Sequence, residues 1–328
     1  MDGNVAIVGA GVSGLTCGVV FAERGYRTAI FAKDIGQQTT SSVAAAVWFP
    51  YHVEPAERVI PLALETYQVL LDLARFAESG VSMIESRQFL RTGEIEIPDW
   101  GIPLGAKQLS SVATGLRPVW DRAQRGGYTF ESGFSLSVPL TDTTIYLDYL
   151  AARFRKAGGE IQANIRFEKL EDVDSKFDLV INCAGIGARD LVRDVDLEPH
   201  RGQVAIVPRI EGLCCAIVCD DDPLMYAIPR RNDSLLGGTN EVSDNLTADP
   251  ATTSRILAEC SRVLNIHKPR VIAERVGLRP FRKSGVRLER DRLRDGRTLI
   301  HNYGHGGAGF TLSWGCAREV LDMAVSSR

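Results

Sequence analysis

Residues 4–25 read "NVAIVGAGVSGLTCGVVFAERG": a short apolar strand, a turn at Gly9-Ala10-Gly11, then helical spacing from Val12 to a stop at Gly25. The glycines fit G-x-G-x-x-G. Gly9 permits the tight turn, Gly11 lets a pyrophosphate approach the backbone, and Gly14 lets the helix lie close on the strand, while the helix N-terminus directs amide dipoles at the anion. A second strand is predicted over residues 28–32. Glycines alone are weak evidence, because turns in many α/β domains carry them; strand, helix and second strand together predict a dinucleotide site. After the second strand comes Ala32-Lys33-Asp34, where Asp34 suits ribose hydroxyls and Lys33 suits a phosphate, and the choice between them stays open. A single fingerprint points to one flavin dinucleotide, FAD, rather than a FAD and nicotinamide pair. Further on, "KFDLVINCAGIGARDL" predicts a buried strand over 177–182, whose end would lie at the ligand crevice of a doubly wound sheet.

The chain has 328 residues, 45% of them hydrophobic and 24% charged, enough for two domains. Its formal net charge of -3 supplies no pull toward phosphate backbones or anionic lipid, which argues against nucleic acid and membrane partners. Seven cysteines without a C-x-x-C pair predict reduced, buried thiols rather than a disulfide framework. The N-terminal apolar run is broken by glycines and its first basic residue is Arg24, so it does not read as a secretory signal. No apolar run approaches the roughly 20 residues that cross a bilayer. The final Ser-Ser-Arg is far from a Ser-Lys-Leu address, and a cytoplasmic protein is expected.

Between these signals the pattern changes. Residues 55–78 have helical spacing, with Pro61 expected to kink or restart the helix, and 83–138 hold short alternating segments rich in Gly and Pro. A helix is predicted over 144–157, a strand over 160–165, three strands between 203 and 238, and a helix over 251–264. The run at 287–297, "RLERDRLRDGR", mixes both signs and is expected as a solvated hairpin or loop. The interleaving predicts an α/β fold: a Rossmann-type FAD-binding domain (1–50, 140–190 and 285–328) with an interleaved β-rich substrate-binding domain (51–139 and 191–284).

"IHNYGHGGAGFTLSWGCA" (300–317), "VGLRPFR" (276–282), "YAIPR" (226–230) and "TTSSVAAAVWFPY" (39–51), together with the fingerprint, resemble the D-amino-acid oxidase family in content and order. The resemblance implies flavin contacts at Ala10, Gly11, Val12 and Ser13 beside the pyrophosphate, and Lys33 and Asp34 near the adenosine. It implies Thr39 and Thr40 at phosphate, Ala45, Ala46 and Val47 beside the isoalloxazine, and Phe167 and Ala184 flanking the nucleotide. Gly306, Gly307, Ala308, Gly309, Phe310 and Thr311 would lie along the ring and its side chain. It also implies that Arg279 holds the substrate carboxylate with help from the Tyr226 hydroxyl, and that the Gly307 carbonyl meets the amine. An Arg fork matches a planar carboxylate with two parallel hydrogen bonds, where Lys offers a point charge. The implied reaction transfers hydride from a D-amino acid to flavin N5, with oxygen as second substrate and 2-oxo acid, ammonia and hydrogen peroxide as products. A homodimer is left open.

Departures from the family bear on the substrate. "CDDDPLMYAIPR" is short, with Leu224 and Met225 where vertebrate relatives carry a lid tyrosine, and Ala308 replaces an aromatic, which is expected to enlarge the site. Val47 and Phe49 predict an apolar side-chain pocket. Asn240 stands where D-aspartate oxidases carry arginine, and Asp220, Asp221 and Asp222 are either a solvated turn or, facing the entrance, a charge that repels a dicarboxylate, so neutral and basic side chains are weighed above acidic ones. The competing readings are D-aspartate oxidase, a glycine or sarcosine oxidase, and a flavin-binding protein without catalysis. His301 and His305 have a zinc-pair spacing, but the glycines around them oppose a helix, and no metal is expected.

Overall fold

A computed structural model describes residues 3–51, 53–109 and 130–326, and the chain divides into two compact units. The first comprises Met1–Ser82, Thr141–His200 and Leu278–Arg328. Its six-stranded sheet has the order β14 (Arg287–Arg292), β15 (Thr298–Tyr303), β7 (Leu179–Asn182), β1 (Asn4–Val8), β2 (Arg27–Ala32) and β6 (Glu160–Ala163). All neighbours pair parallel except β14, which runs antiparallel to β15 at the edge. Parallel strands need cover on both faces, which is why "VAIV" and "LVI" are continuously apolar. On one face α1 (Val12–Glu23) lies so near that a Cβ on Gly18 would come within 2.8 Å of Ile30 and 3.1 Å of Phe154 from α3 (Thr143–Lys156). On the other, Ala6, Val8, Ala29, Phe31 and Val180 pack with Leu170, Val173 and Phe177.

Two expectations change in this unit and a third, the hairpin at 287–297, holds. Helix α2 (Ala56–Leu73) runs unbroken through Pro61. The proline sits in the second turn, where it costs one intrahelical donor, and packing against α6 (Gly309–Val325) holds the helix. At Gly315 the Leu62 backbone occupies the place of a Cβ, and the Gly315 N–H donates to Thr66 Oγ1 at 2.9 Å. That packing also puts 51–82 into the first unit rather than with the substrate domain. The charged run at 287–297 is a hairpin whose first half, β14, is an edge strand of the dinucleotide sheet, and its charges face solvent at the edge.

The second unit comprises Met83–Leu140 and Arg201–Gly277. Its sheet has the order β12 (Glu241–Val242), β8 (Leu197–Pro208), β11 (Asp233–Gly237), β10 (Met225–Pro229), β9 (Ala216–Cys219), β3 (Val81–Leu90), β5 (Ser132–Thr141) and β4 (Lys107–Leu109), with β13 (Ala273–Arg282) paired to β8. The third strand signal is thus the hairpin β10–β11. The part of the expected strand region at 110–129 lies outside the described residues. Helix α5 (Pro250–Leu264), capped by Asp249 donating no proton but accepting from the amides of Ala251 and Thr252, buries Ile256, Leu257 and Val263 against Ala205, Val207, Met225, Ala227 and Leu236. Strand alternation therefore turns Tyr226, between Met225 and Ala227, to the opposite face.

Candidate active site

The ends of β1, β2 and β7 meet at the turn into α1. Gly9 has φ +111°, and a Cβ there would approach the Cys183 carbonyl carbon to 2.8 Å. One on Gly14 would lie 2.9 Å from the Gly9 carbonyl carbon, so both glycines are required by backbone, not by a movable side chain. Gly11 caps α1 without a side-chain hydrogen bond, and the first turn carries no acidic residue. The Val12 amide donates to Ser41 Oγ at 3.0 Å, a contact between residues 29 apart that gave no signal in the sequence. The start of α6 stands beside that of α1: a Cβ on Gly309 would be 3.7 Å from Val12. Two helix N-termini, each the positive end of a dipole, thus converge near one turn, an arrangement that receives an anion.

The segment after β15 forms the adjoining wall. The Gly306 amide donates to the Pro280 carbonyl at 2.9 Å, and His305 bridges to Phe281, which laces the glycine run to the end of β13 next to Arg279. Gly306 is buried and Gly307 is exposed, with the place of its Cβ 2.7 Å from the Tyr51 ring. Thr311 Oγ1 accepts from the Phe49 amide at 3.1 Å and donates to its carbonyl at 3.0 Å, while Ala46 O accepts from the Thr141 amide. Residues 46–51 and 304–311 therefore form one fixed surface. Tyr51 was not among the residues the sequence singled out.

A buried charge cluster braces this wall. Asp194 accepts from Tyr303 Oη at 2.6 Å and Arg282 Nε at 2.8 Å. Burial opposes its ionisation, but these donors hold its carboxyl below the usual range. His305 and Asn302 Oδ1 lie 2.9 Å apart, and His301 faces Asn182 at 3.3 Å. Burial pushes both imidazoles down to about 4, so they are neutral structural groups near pH 7. Among the described residues no group of three or more potential ligands could hold a metal.

In the second unit Tyr226 is buried, its ring lying over Gly237 and Gly238. The turn before it is pinned by Arg91, which donates to Asp221 Oδ1 at 2.8 Å, Pro223 O at 2.7 Å and Glu259 Oε1 at 2.9 Å. Asp221 is thereby paired, and only Asp220 and Asp222 of the acidic triplet are exposed.

Residues 4–323 match the family described as FAD dependent oxidoreductase. D-amino-acid oxidases from Rubrobacter xylanophilus and Streptomyces coelicolor are each 38% identical to the chain, covering 98% of it and 95% and 97% of their own lengths. The chain belongs to the D-amino-acid oxidase family of FAD-dependent oxidoreductases. The fold is shared more widely: a glycine oxidase from Geobacillus kaustophilus superposes with a TM-score of 0.83 over 100% of this chain and 95% of that one, at 18% identity.

FAD is the family's cofactor, and the first unit fits it: glycines at 9, 11 and 14 keep side chains out of the turn where a pyrophosphate would lie, and two helix N-termini converge where its charge would be received. Gly9, Ala10, Gly11, Val12, Ser13 and Gly14 gather there with Ala184, which follows β7. Phe167 packs edge-on to Phe31, with ring centroids 5.7 Å apart, at the end of β2. Lys33 and Asp34 are exposed and pair with each other at 3.8 Å. Thr40 is exposed, while Thr39 is buried and donates to Gly36 O at 2.7 Å. The Thr311 hydroxyl bonds the Phe49 backbone, and Ala308 is fully buried at 0% exposure. Val47 and Phe49 are half-buried beside Ala46, and Phe310 is buried in α6.

Proposed function

We propose that the protein oxidatively deaminates neutral D-amino acids, and basic ones less efficiently, to 2-oxo acids, ammonia and hydrogen peroxide in the cytoplasm, where its seven unpaired thiols stay reduced. The observation that carries this reading is the lacing of the Arg279 strand to the glycine wall: the Gly306 amide on the Pro280 carbonyl fixes Arg279 and the exposed Gly307 in one backbone frame. In that frame Arg279 takes the carboxylate bidentately and the Gly307 carbonyl accepts from the amine, and the family resemblance adds the Tyr226 hydroxyl as a further donor. Bound FAD supplies the acceptor for the hydride and returns the electrons to oxygen. The protein's task is alignment. With carboxylate and amine both held, only one enantiomer turns its α-hydrogen to the cofactor while its side chain passes toward Val47 and Phe49.

A second carboxylate on the substrate would need a cation. Asn240 stands where D-aspartate oxidases carry arginine, and an unpaired charge in a closed site is costly. A panel of D-alanine, D-valine, D-lysine, D-phenylalanine and D-aspartate tests the reading: kcat/KM for D-alanine or D-valine should exceed that for D-aspartate roughly a hundredfold. D-aspartate as the best substrate, or turnover of glycine and sarcosine alone, would replace it.

A further inference from the structure

A tyrosine hydroxyl is a useful donor to a carboxylate only if its direction is fixed. Tyr226 and Gly237 stand opposite each other in the antiparallel pair β10–β11. The Tyr226 ring does not rise from the sheet but lies across the neighbouring strand. A Cβ on Gly237 would fall inside the ring, 2.5 Å from its hydroxyl oxygen, and one on Gly238 would lie 2.5 Å from Cε1 and 2.7 Å from both Cζ and the oxygen. Real Cβ atoms essentially never come under 3.0 Å, so the ring can hold this place only over two glycines. Neither glycine has a positive φ, so left-handed backbone is not the reason for them.

The frame around this slot is tied down. The Gly238 amide donates to the Leu224 carbonyl at 3.3 Å, Cys260 Sγ donates toward the Gly237 and Tyr226 carbonyls at 3.6 and 3.7 Å, and Thr239 Oγ1 accepts from the Gln203 amide at 2.9 Å. With the backbone held at these points, an added methyl group would displace the ring rather than the strand.

We infer that Gly237 and Gly238 are positioning residues of the reaction: a two-glycine slot that lays the Tyr226 ring flat on β11 and so aims its hydroxyl at the substrate carboxylate. This rests on the reading of Tyr226 as a carboxylate donor. The slot acts only through that hydroxyl, so its effect must vanish when the hydroxyl is gone.

The test is a double-mutant cycle on the FAD-loaded protein with D-alanine. Tyr226→Phe should raise KM roughly ten- to a hundredfold, as a lost hydrogen bond to a charged group does. Gly238→Ala should raise it comparably, with kcat within about twofold and FAD content unchanged. The pair Tyr226→Phe with Gly238→Ala should have a KM no higher than Tyr226→Phe alone. If Tyr226→Phe has no effect, the donor reading fails and the inference with it. If Tyr226→Phe acts but Gly238→Ala is silent, or the two effects multiply in the pair, the slot is overturned while the donor reading stands. Should Gly238→Ala not fold, Tyr226→Ala with Gly238→Ala should fold and bind FAD as Tyr226→Ala does, since the clash has been removed; failure to do so would mean that the glycine serves the backbone, against the inference.

Discussion

At the scale of single residues the account turns on Arg279. Its planar fork is the one group proposed to hold the carboxylate in two parallel bonds, and truncating such a charged partner typically costs about 2–5 kcal/mol. Arg279→Ala should therefore lower kcat/KM for D-alanine by roughly two to three orders of magnitude, with FAD content unchanged by absorbance. Arg279→Lys should fall between, because an ammonium keeps the charge and loses the fork. Retained activity in Arg279→Ala would move the carboxylate elsewhere. Residues of this kind were legible in the sequence when their reason is local: Gly9 and Gly14 are dictated by a turn a few residues long. Ser41 on Val12, Tyr51 against Gly307 and the ring of Tyr226 over Gly238 were not, because each contact joins segments whose spacing along the chain carries no pattern.

At the scale of elements, helices and parallel strands followed their periodicity, and the departures have packing causes. Helix α2 survives Pro61 because Gly315 lets its backbone settle against α6. Gly315→Ala should force the two helices apart and lower stability by about 1–3 kcal/mol, read from the denaturant midpoint. An unchanged midpoint would mean that the helix pair is not what carries the proline. The strand signal at 225–237 concealed a hairpin because the turn at Arg230–Asp233 is charged rather than glycine-rich; it closes through an Arg230–Asp233 ion pair at 2.6 Å. Strand β15 and the loop after it carry a pH dependence. Burial moves His301 and His305 from the ordinary imidazole value of 6.5 down to about 4. The unfolded chain therefore takes up protons first, and the stability these groups contribute is lost as pH falls from 6.5 towards 4, with no further loss from them below that. Denaturant midpoints measured across this window should fall, and the fall should be shallower in His305→Gln.

At the scale of the whole molecule, both units are built from separated stretches of chain, a pattern signalled in the sequence by the apolar strand at 177–182 returning after the β-rich region. Residues 51–82 escaped it: their helix is amphipathic, and nothing in an amphipathic helix says which core its apolar face will join. The two units answer different parts of the chemistry. The first holds the dinucleotide turn, the glycine wall and Arg279, and the second holds Tyr226 on a braced hairpin; the role proposed for each is tested within its own unit. Together with the family, these features make oxidation of one enantiomer of an amino acid the central claim. Its most direct test is peroxide release by the purified, FAD-loaded protein given D-alanine and L-alanine in separate assays. Release from D-alanine with none from L-alanine is the predicted result; equal release from both, or none from any D-amino acid, would contradict it.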